Sequence, residues 1–195
     1  MAKIKVVCIG RTYCSGGSAI GKLTAAELGV KCFDRQIVEM AASLSGISME
    51  EINKYEEALL NPLTNPISLI GRNLPGRIFD AETKVIHDIV NNEGSCVIVG
   101  RCADFILKNK VRTLNVFINS DREKRISCAM KEHGIKFDDA DAQLKRYDRK
   151  RADYYNANTT KKWGDMLSYD LVLNSGTLGY ELCAKMIAGA VRASE

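Results

Sequence analysis

Short apolar runs alternate along the chain with longer stretches whose apolar residues recur every three or four positions. Ile4 to Ile9, interrupted only by Lys5, and Cys96 to Val99 are apolar runs, the pattern of strands buried on both faces. Val30 to Phe33, Leu114 to Ile118 and Leu171 to Leu173 predict three more short strands. Between them, Ile20, Leu23, Ala26 and Leu28 share one helical face, as do Phe79, Thr83, Ile86 and Val90. Further helices are predicted over Ile37 to Leu44, from Asp121 to about His133, and over roughly Leu178 to Val191. Gly29, Gly46 and Gly94 stand where helices stop. Ser48 and Glu51 have the spacing of a capping box. Strands alternating with helices predict an α/β fold: a five-stranded parallel sheet with helices on both faces.

The first strand runs into Gly10-Arg11-Thr12-Tyr13-Cys14-Ser15-Gly16-Gly17-Ser18, a Gly/Ser-rich turn ahead of a helix. Backbone N–H groups in such a turn, with a helix N-terminus behind them, form an anion site. A phosphate-binding loop normally has Lys directly after its last glycine, and here that place holds Gly17. Gly16-x4-Gly21-Lys22 copies the usual spacing but is followed by Leu23 instead of Ser or Thr. It would also leave only Leu23 to Leu28 for the first helix. Placing the loop at Cys14 to Gly17 gives a helix of about three turns and leaves Lys22 on it. Ser18 is then a candidate cap for that helix. Arg11 is the basic residue within the loop and the candidate substitute for the lysine.

Composition narrows the function classes. The chain has 195 residues, which suits one domain. A net charge of +4 fits a small anionic ligand and falls short of the basic stripe of a nucleic-acid binder. The seven cysteines are scattered without a CxxC pair, which points to a reducing cytoplasm and not to a disulfide framework. No segment reads as a signal peptide or membrane span, so neither nucleic acid nor membrane is an expected partner. All three prolines fall within Leu59 to Gly76, the expected irregular segment. Phe137 to Tyr155 is dense in charge. His87 and His133 have no acid–base partner in view, and neither is given a catalytic role.

Several motifs agree in order and position. They are Tyr13 to Gly17 after the first strand, Phe33-Asp34 after the second and Val97 to Asp104 around the end of the third. Asp148 to Tyr155, Lys162-Trp163-Gly164-Asp165 and Tyr169 to Ser175 complete the set. With these the chain resembles the cytidylate kinase-like family, a branch of the P-loop nucleoside monophosphate kinases. The resemblance implies a P-loop NTPase-type three-layer fold with a mobile Arg-rich lid. It divides the single domain into a nucleotide-binding flap over about 35–92 and a lid over about 137–164. It implies ATP and Mg²⁺ as cofactors and small-molecule nucleotides as ligands.

Matched positions then acquire implied roles. Arg11, Cys14, Ser15, Gly16, Gly17 and Ser18 would wrap the ATP phosphates, with Ser18 toward the metal. Asp34, Arg101 and Asp104 would hold the acceptor. Arg146, Arg149 and Arg151 would close over the transferred group, and Asn174, Ser175 and Gly176 would lie beside the adenine. Plainer readings stand next to these. The lid arginines suit a solvated helix paired with Asp148 and Asp153. Arg101 suits a salt bridge to Asp104 or Glu82, and Asp34 suits a helix N-cap. The expected activity is ATP-dependent phosphorylation of a nucleoside monophosphate, (d)CMP to (d)CDP. The alternative is a weakly active or inactive nucleotide- or anion-binding regulator, because Gly17 replaces the lysine.

Overall fold

The computed structural model describes residues 3–60 and 74–194. In chain order the strands are β1 (Val6–Arg11), β2 (Lys31–Phe33), β3 (Cys96–Val99), β4 (Thr113–Asn119) and β5 (Leu171–Asn174). The helices are α1 (Gly17–Leu28), α2 (Gln36–Ser45), α3 (Met49–Leu60), α4 (Leu74–Glu93) and α5 (Ala103–Ile106), followed by α6 (Arg122–His133), α7 (Phe137–Asn158), α8 (Ser175–Leu178) and α9 (Tyr180–Arg192). The sheet order is β2-β3-β1-β4-β5 and every pairing is parallel.

The two-residue period of the strands sorts the core into two layers. Val7, Ile9, Val97, Val99, Val116, Ile118 and Leu173 point to one face, where Ile20 of α1 and Ala184 and Ile187 of α9 cover them. Val6, Cys8, Cys96 and Ile98 point to the other, under Ile37 of α2 and Ala81, Val85, Ile86 and Ile89 of α4. A sheet so covered is the architecture the apolar runs predict. Two satellite cores extend it: one joins α2, α3 and the start of α4, and one joins α6 to α7.

Helix boundaries refine the sequence reading. The capping box forms: the Glu51 backbone N–H donates to Ser48 Oγ at 3.2 Å, and the Ser48 N–H donates to the Glu51 carboxylate at 3.0 Å. Helix α1 spans 12 residues, about three turns, and Lys22 lies exposed on it. Its N-cap is Gly16 in left-handed conformation, so Ser18 stands inside the first turn instead of capping it. Leu74, Pro75 and Gly76 are the opening turn of α4, where a proline is tolerated because that turn's N–H groups have no helical acceptor. The rest of the proline-containing stretch, 61–73, lies outside the described residues. Among the described residues, no helix is long and apolar enough to cross a membrane.

Candidate phosphate-transfer site

The carboxyl ends of β1 and β3 open into a cavity of about 250 Å³. That is where ligands bind in open α/β sheets, at the place where the chain's path reverses direction across the sheet. Gly10 and Arg11 of β1 and Gly100 and Arg101 after β3 form its floor. Tyr55 and Glu56 of α3 and Lys150, Arg151 and Tyr154 of α7 form its walls. Gly10 is bare because a Cβ there would lie 2.9 Å from the Phe117 ring, which meets Trp163 edge-on and Tyr169 at a tilt.

Beside this cavity the phosphate loop is braced at several points. The Thr12 N–H donates to the Ile118 carbonyl at 3.0 Å, and Ser15 Oγ donates to the Thr12 carbonyl at 2.8 Å. The Tyr13 N–H donates to Asp148 at 2.6 Å, while Arg125 holds both Asp148 and, at 2.7 Å, the Tyr13 carbonyl. Gly16 has a left-handed φ of 74°, and its missing side chain leaves room for the Tyr180 ring. The first turn of α1 then presents its N–H groups to the loop.

Arg11 occupies the space that Gly17 leaves. A Cβ on Gly17 would lie 2.6 Å from Arg11 Cβ and 2.7 Å from its Cγ, and one on Gly100 would collide with the guanidinium. The arginine stem therefore runs across Gly17, and its head lies between Gly100 and Asp34, which it meets at 3.4 Å. Among the described residues, Arg11 Nε is buried without a partner. Burial, then the nearby Arg151, pull the Arg11 pKa down to about 9, against a smaller opposing pull from Asp34. Arg11 is still protonated at neutral pH, but its charge is under-compensated. Arg151 lies alongside, donating to the Arg11 carbonyl at 3.1 Å and covering the Tyr13 ring. Burial likewise lowers its pKa.

Ser18 Oγ donates to Asp34 at 2.6 Å. A hydroxyl and a carboxylate thus stand together at the start of α1. Two hard oxygen donors beside a Gly-rich turn fit Mg²⁺, which takes one or two protein oxygens and fills the rest of its shell with water and phosphate. Asp34 does not cap α2, whose N-cap is Arg35.

Arg101 is fully engaged. It bonds Glu82 and Glu56, each at 3.1 Å, and lies over the Tyr154 ring. Burial alone would lower its pKa, but Glu82, Tyr154 and Glu56 outweigh it and raise the pKa. Glu82 is 0% exposed and also accepts from the Tyr154 hydroxyl. Lys150 completes the cluster by bonding Glu56 at 3.0 Å. Asp104 lines the same cavity, accepting from Tyr155 at 2.7 Å and from Lys161 at 3.4 Å.

The three lid arginines separate. Arg151 reaches the cavity, whereas Arg146 and Arg149 are exposed outside its wall, Arg149 facing Asp153 at 3.7 Å. The 174–176 stretch also lies outside the cavity. The Asn174 side chain caps α8, buried Ser175 donates to the Ser15 carbonyl at 2.7 Å, and Gly176 leaves room for Ser120 and Asp121. Sequence reasoning missed Glu56 and Lys150 as cavity residues, whereas the salt bridge it offered between Arg101 and Glu82 forms. For α7 a signal was present: Tyr147, Lys150, Arg151, Tyr154 and Tyr155 follow i, i+3, i+4, i+7, i+8 spacing, one helical face.

Comparison with known proteins agrees with this fold. A crystal structure of an uncharacterized protein from Eubacterium ventriosum ATCC 27560 superposes with a TM-score of 0.73 at 23% identity, covering 97% of this chain and 99% of that one. Shikimate kinase from Acinetobacter baumannii, in complex with shikimate, gives a TM-score of 0.57 at 11% identity over 98% and 95% of the two chains. Shikimate kinase from Aquifex aeolicus gives 0.52 at 17% identity, covering 96% of each chain. At these identities the likeness is one of fold, the P-loop kinase fold. A search of curated protein sequences finds no match. The family model of the cytidylate kinase-like family matches residues 6–177, and the chain belongs to that family.

Proposed function

We propose that the protein is an ATP-dependent phosphotransferase acting on a nucleoside monophosphate, with (d)CMP the first candidate acceptor. The observation that carries this reading is the pair of largely buried guanidiniums, Arg11 and Arg151, set side by side at the mouth of the phosphate loop. Burying like charges together is unfavourable unless an anion joins them. A phosphoryl group between them would supply that anion, and phosphoryl transfer depends on such charge neutralisation and positioning. Arg11 then does from β1 what a loop lysine does from the helix start. Arg151 caps the transferring group, and the first-turn N–H groups of α1 hold the remaining phosphate oxygens. Ser18 and Asp34 would hold Mg²⁺, which when bound screens phosphate charge. Tyr55, Tyr154 and Trp163 offer flat apolar surfaces to the acceptor's base.

One observation favours a second reading, a nucleotide- or anion-binding regulator with little turnover. Arg101, the residue matched to acceptor binding, already satisfies two carboxylates. A panel of nucleoside monophosphates incubated with ATP and Mg²⁺ separates the two readings. ADP formation with CMP or dCMP is the expected result. ATP binding with no ADP formed from any monophosphate would establish the regulator instead.

A further inference from the structure

Away from the cavity, the phosphate loop meets the end of α6 through sulfur. Cys14, Cys128 and His133 each offer a ligand atom, and the three atoms lie within 4.8 Å of one another. Among the described residues this is the one cluster of three such groups. The geometry points to a binding site for a thiophilic divalent cation of the zinc type, built from the loop and the last turns of α6.

Four features of the cluster suit that ligand. The two thiols already hydrogen-bond each other, so their sulfurs converge. Cys14 holds this position in a left-handed backbone conformation (φ 59°), which a non-glycine residue adopts only where its surroundings enforce it. The His133 ring is oriented by stacking on Tyr13, centroids 5.3 Å apart, and Tyr13 itself stacks on Tyr147 at 4.2 Å. His133 leaves the cluster open to solvent, so that a water oxygen would fill the fourth position. Two sulfurs, one nitrogen and one oxygen make a tetrahedral zinc set. Sulfurs on tetrahedral zinc lie about 3.8 Å apart, so small side-chain rotations close the site. Thiolate ligands also select zinc over the magnesium expected at Ser18 and Asp34.

Cation binding replaces the two thiol protons with two metal–sulfur bonds and releases both protons to solvent. The bound ion would fasten Tyr13-Cys14 of the phosphate loop to α6.

The test uses the full reduced chain without an affinity tag. Zinc is titrated against a chromophoric chelator, and Co²⁺ is titrated in parallel to read thiolate-to-metal charge transfer. The expected result is one ion per chain with a cobalt spectrum of tetrahedral thiolate type. Affinity should drop by more than about tenfold in Cys128→Ser and in His133→Ala, and stay unchanged in Cys32→Ser, whose thiol is elsewhere. His133 is exposed, so His133→Ala keeps the test decisive should Cys128→Ser not fold. Failure to hold zinc against the chelator would overturn the site. So would zinc binding that His133→Ala leaves intact, or that Cys32→Ser weakens. None of these readouts depends on phosphotransfer, so the site and the proposed activity stand or fall separately.

Discussion

At the residue scale, Arg11 and Gly17 form a matched pair: one supplies the cation and the other yields the space its stem fills. Arg11→Ala should therefore reduce phosphate transfer by about 10²-fold or more, the usual effect of removing a group that stabilises transition-state charge. An ADP-release assay reads it. Gly17→Ala should do similar damage without touching any charge, because its Cβ would sit 2.6 Å from Arg11 Cβ. Overpacking of this kind also costs about 1–3 kcal/mol, visible as a lower melting temperature. The double change Arg11→Gly with Gly17→Lys should relieve that clash, melting above Gly17→Lys alone. A missing lysine is plain in a linear sequence. What stands in its place is not, because the replacement comes from another element six positions earlier and is recognised only through the contact of the two residues.

At the scale of elements, α7 decides which basic residues serve the cavity. Arg151→Ala should cut transfer by about 10²-fold, whereas exposed Arg149→Ala should change it by less than about threefold, as surface ion pairs contribute little. Steady-state rates of the two variants, side by side, measure the contrast. Helix α7 is also tied to α3 through Lys150 and Glu56. Burial pushes the Glu56 carboxyl up, but Arg101 and Lys150 pull it further down, to a net value below the ordinary 4.5. The folded state thus holds this charge better than the unfolded chain does. The resulting stability is complete above pH 4.5 and is lost as pH falls through the folded pKa. Glu56→Gln should accordingly flatten the decline in unfolding free energy below pH 4.5, measured by urea titration across pH. The helix itself was readable as a charge-dense segment, but charge density hid its working face. Only the three- and four-residue spacing singles out Lys150 and Arg151 from Arg146 and Arg149.

For the whole molecule, the sheet carries the site by bringing distant ends together. Strands β1 and β3 were legible because buried parallel strands leave apolar runs, β4 and β5 because short apolar runs survive toward the sheet's edge despite Asn115 and exposed Val172, and β2 because its short run precedes Asp34. Their order was not legible, since nothing local records which strand lies beside which. The Ser175–Ser15 hydrogen bond shows what that order achieves: residues 160 apart in sequence lock the end of β5 to the phosphate loop. Ser175 is buried and also bonds the Asn119 carbonyl. Ser175→Ala should cost about 1–3 kcal/mol of stability by leaving buried carbonyls unpaired, read from denaturant midpoints, and should slacken the loop without altering any charge. The same convergence has an optical consequence. The chain has a single tryptophan, Trp163, and it stands in the cavity wall edge-on to Phe117. The molecule therefore carries its own lamp at the cavity: if the proposed function holds, unlabelled protein should report each nucleotide that enters as a change in the colour and brightness of its emission.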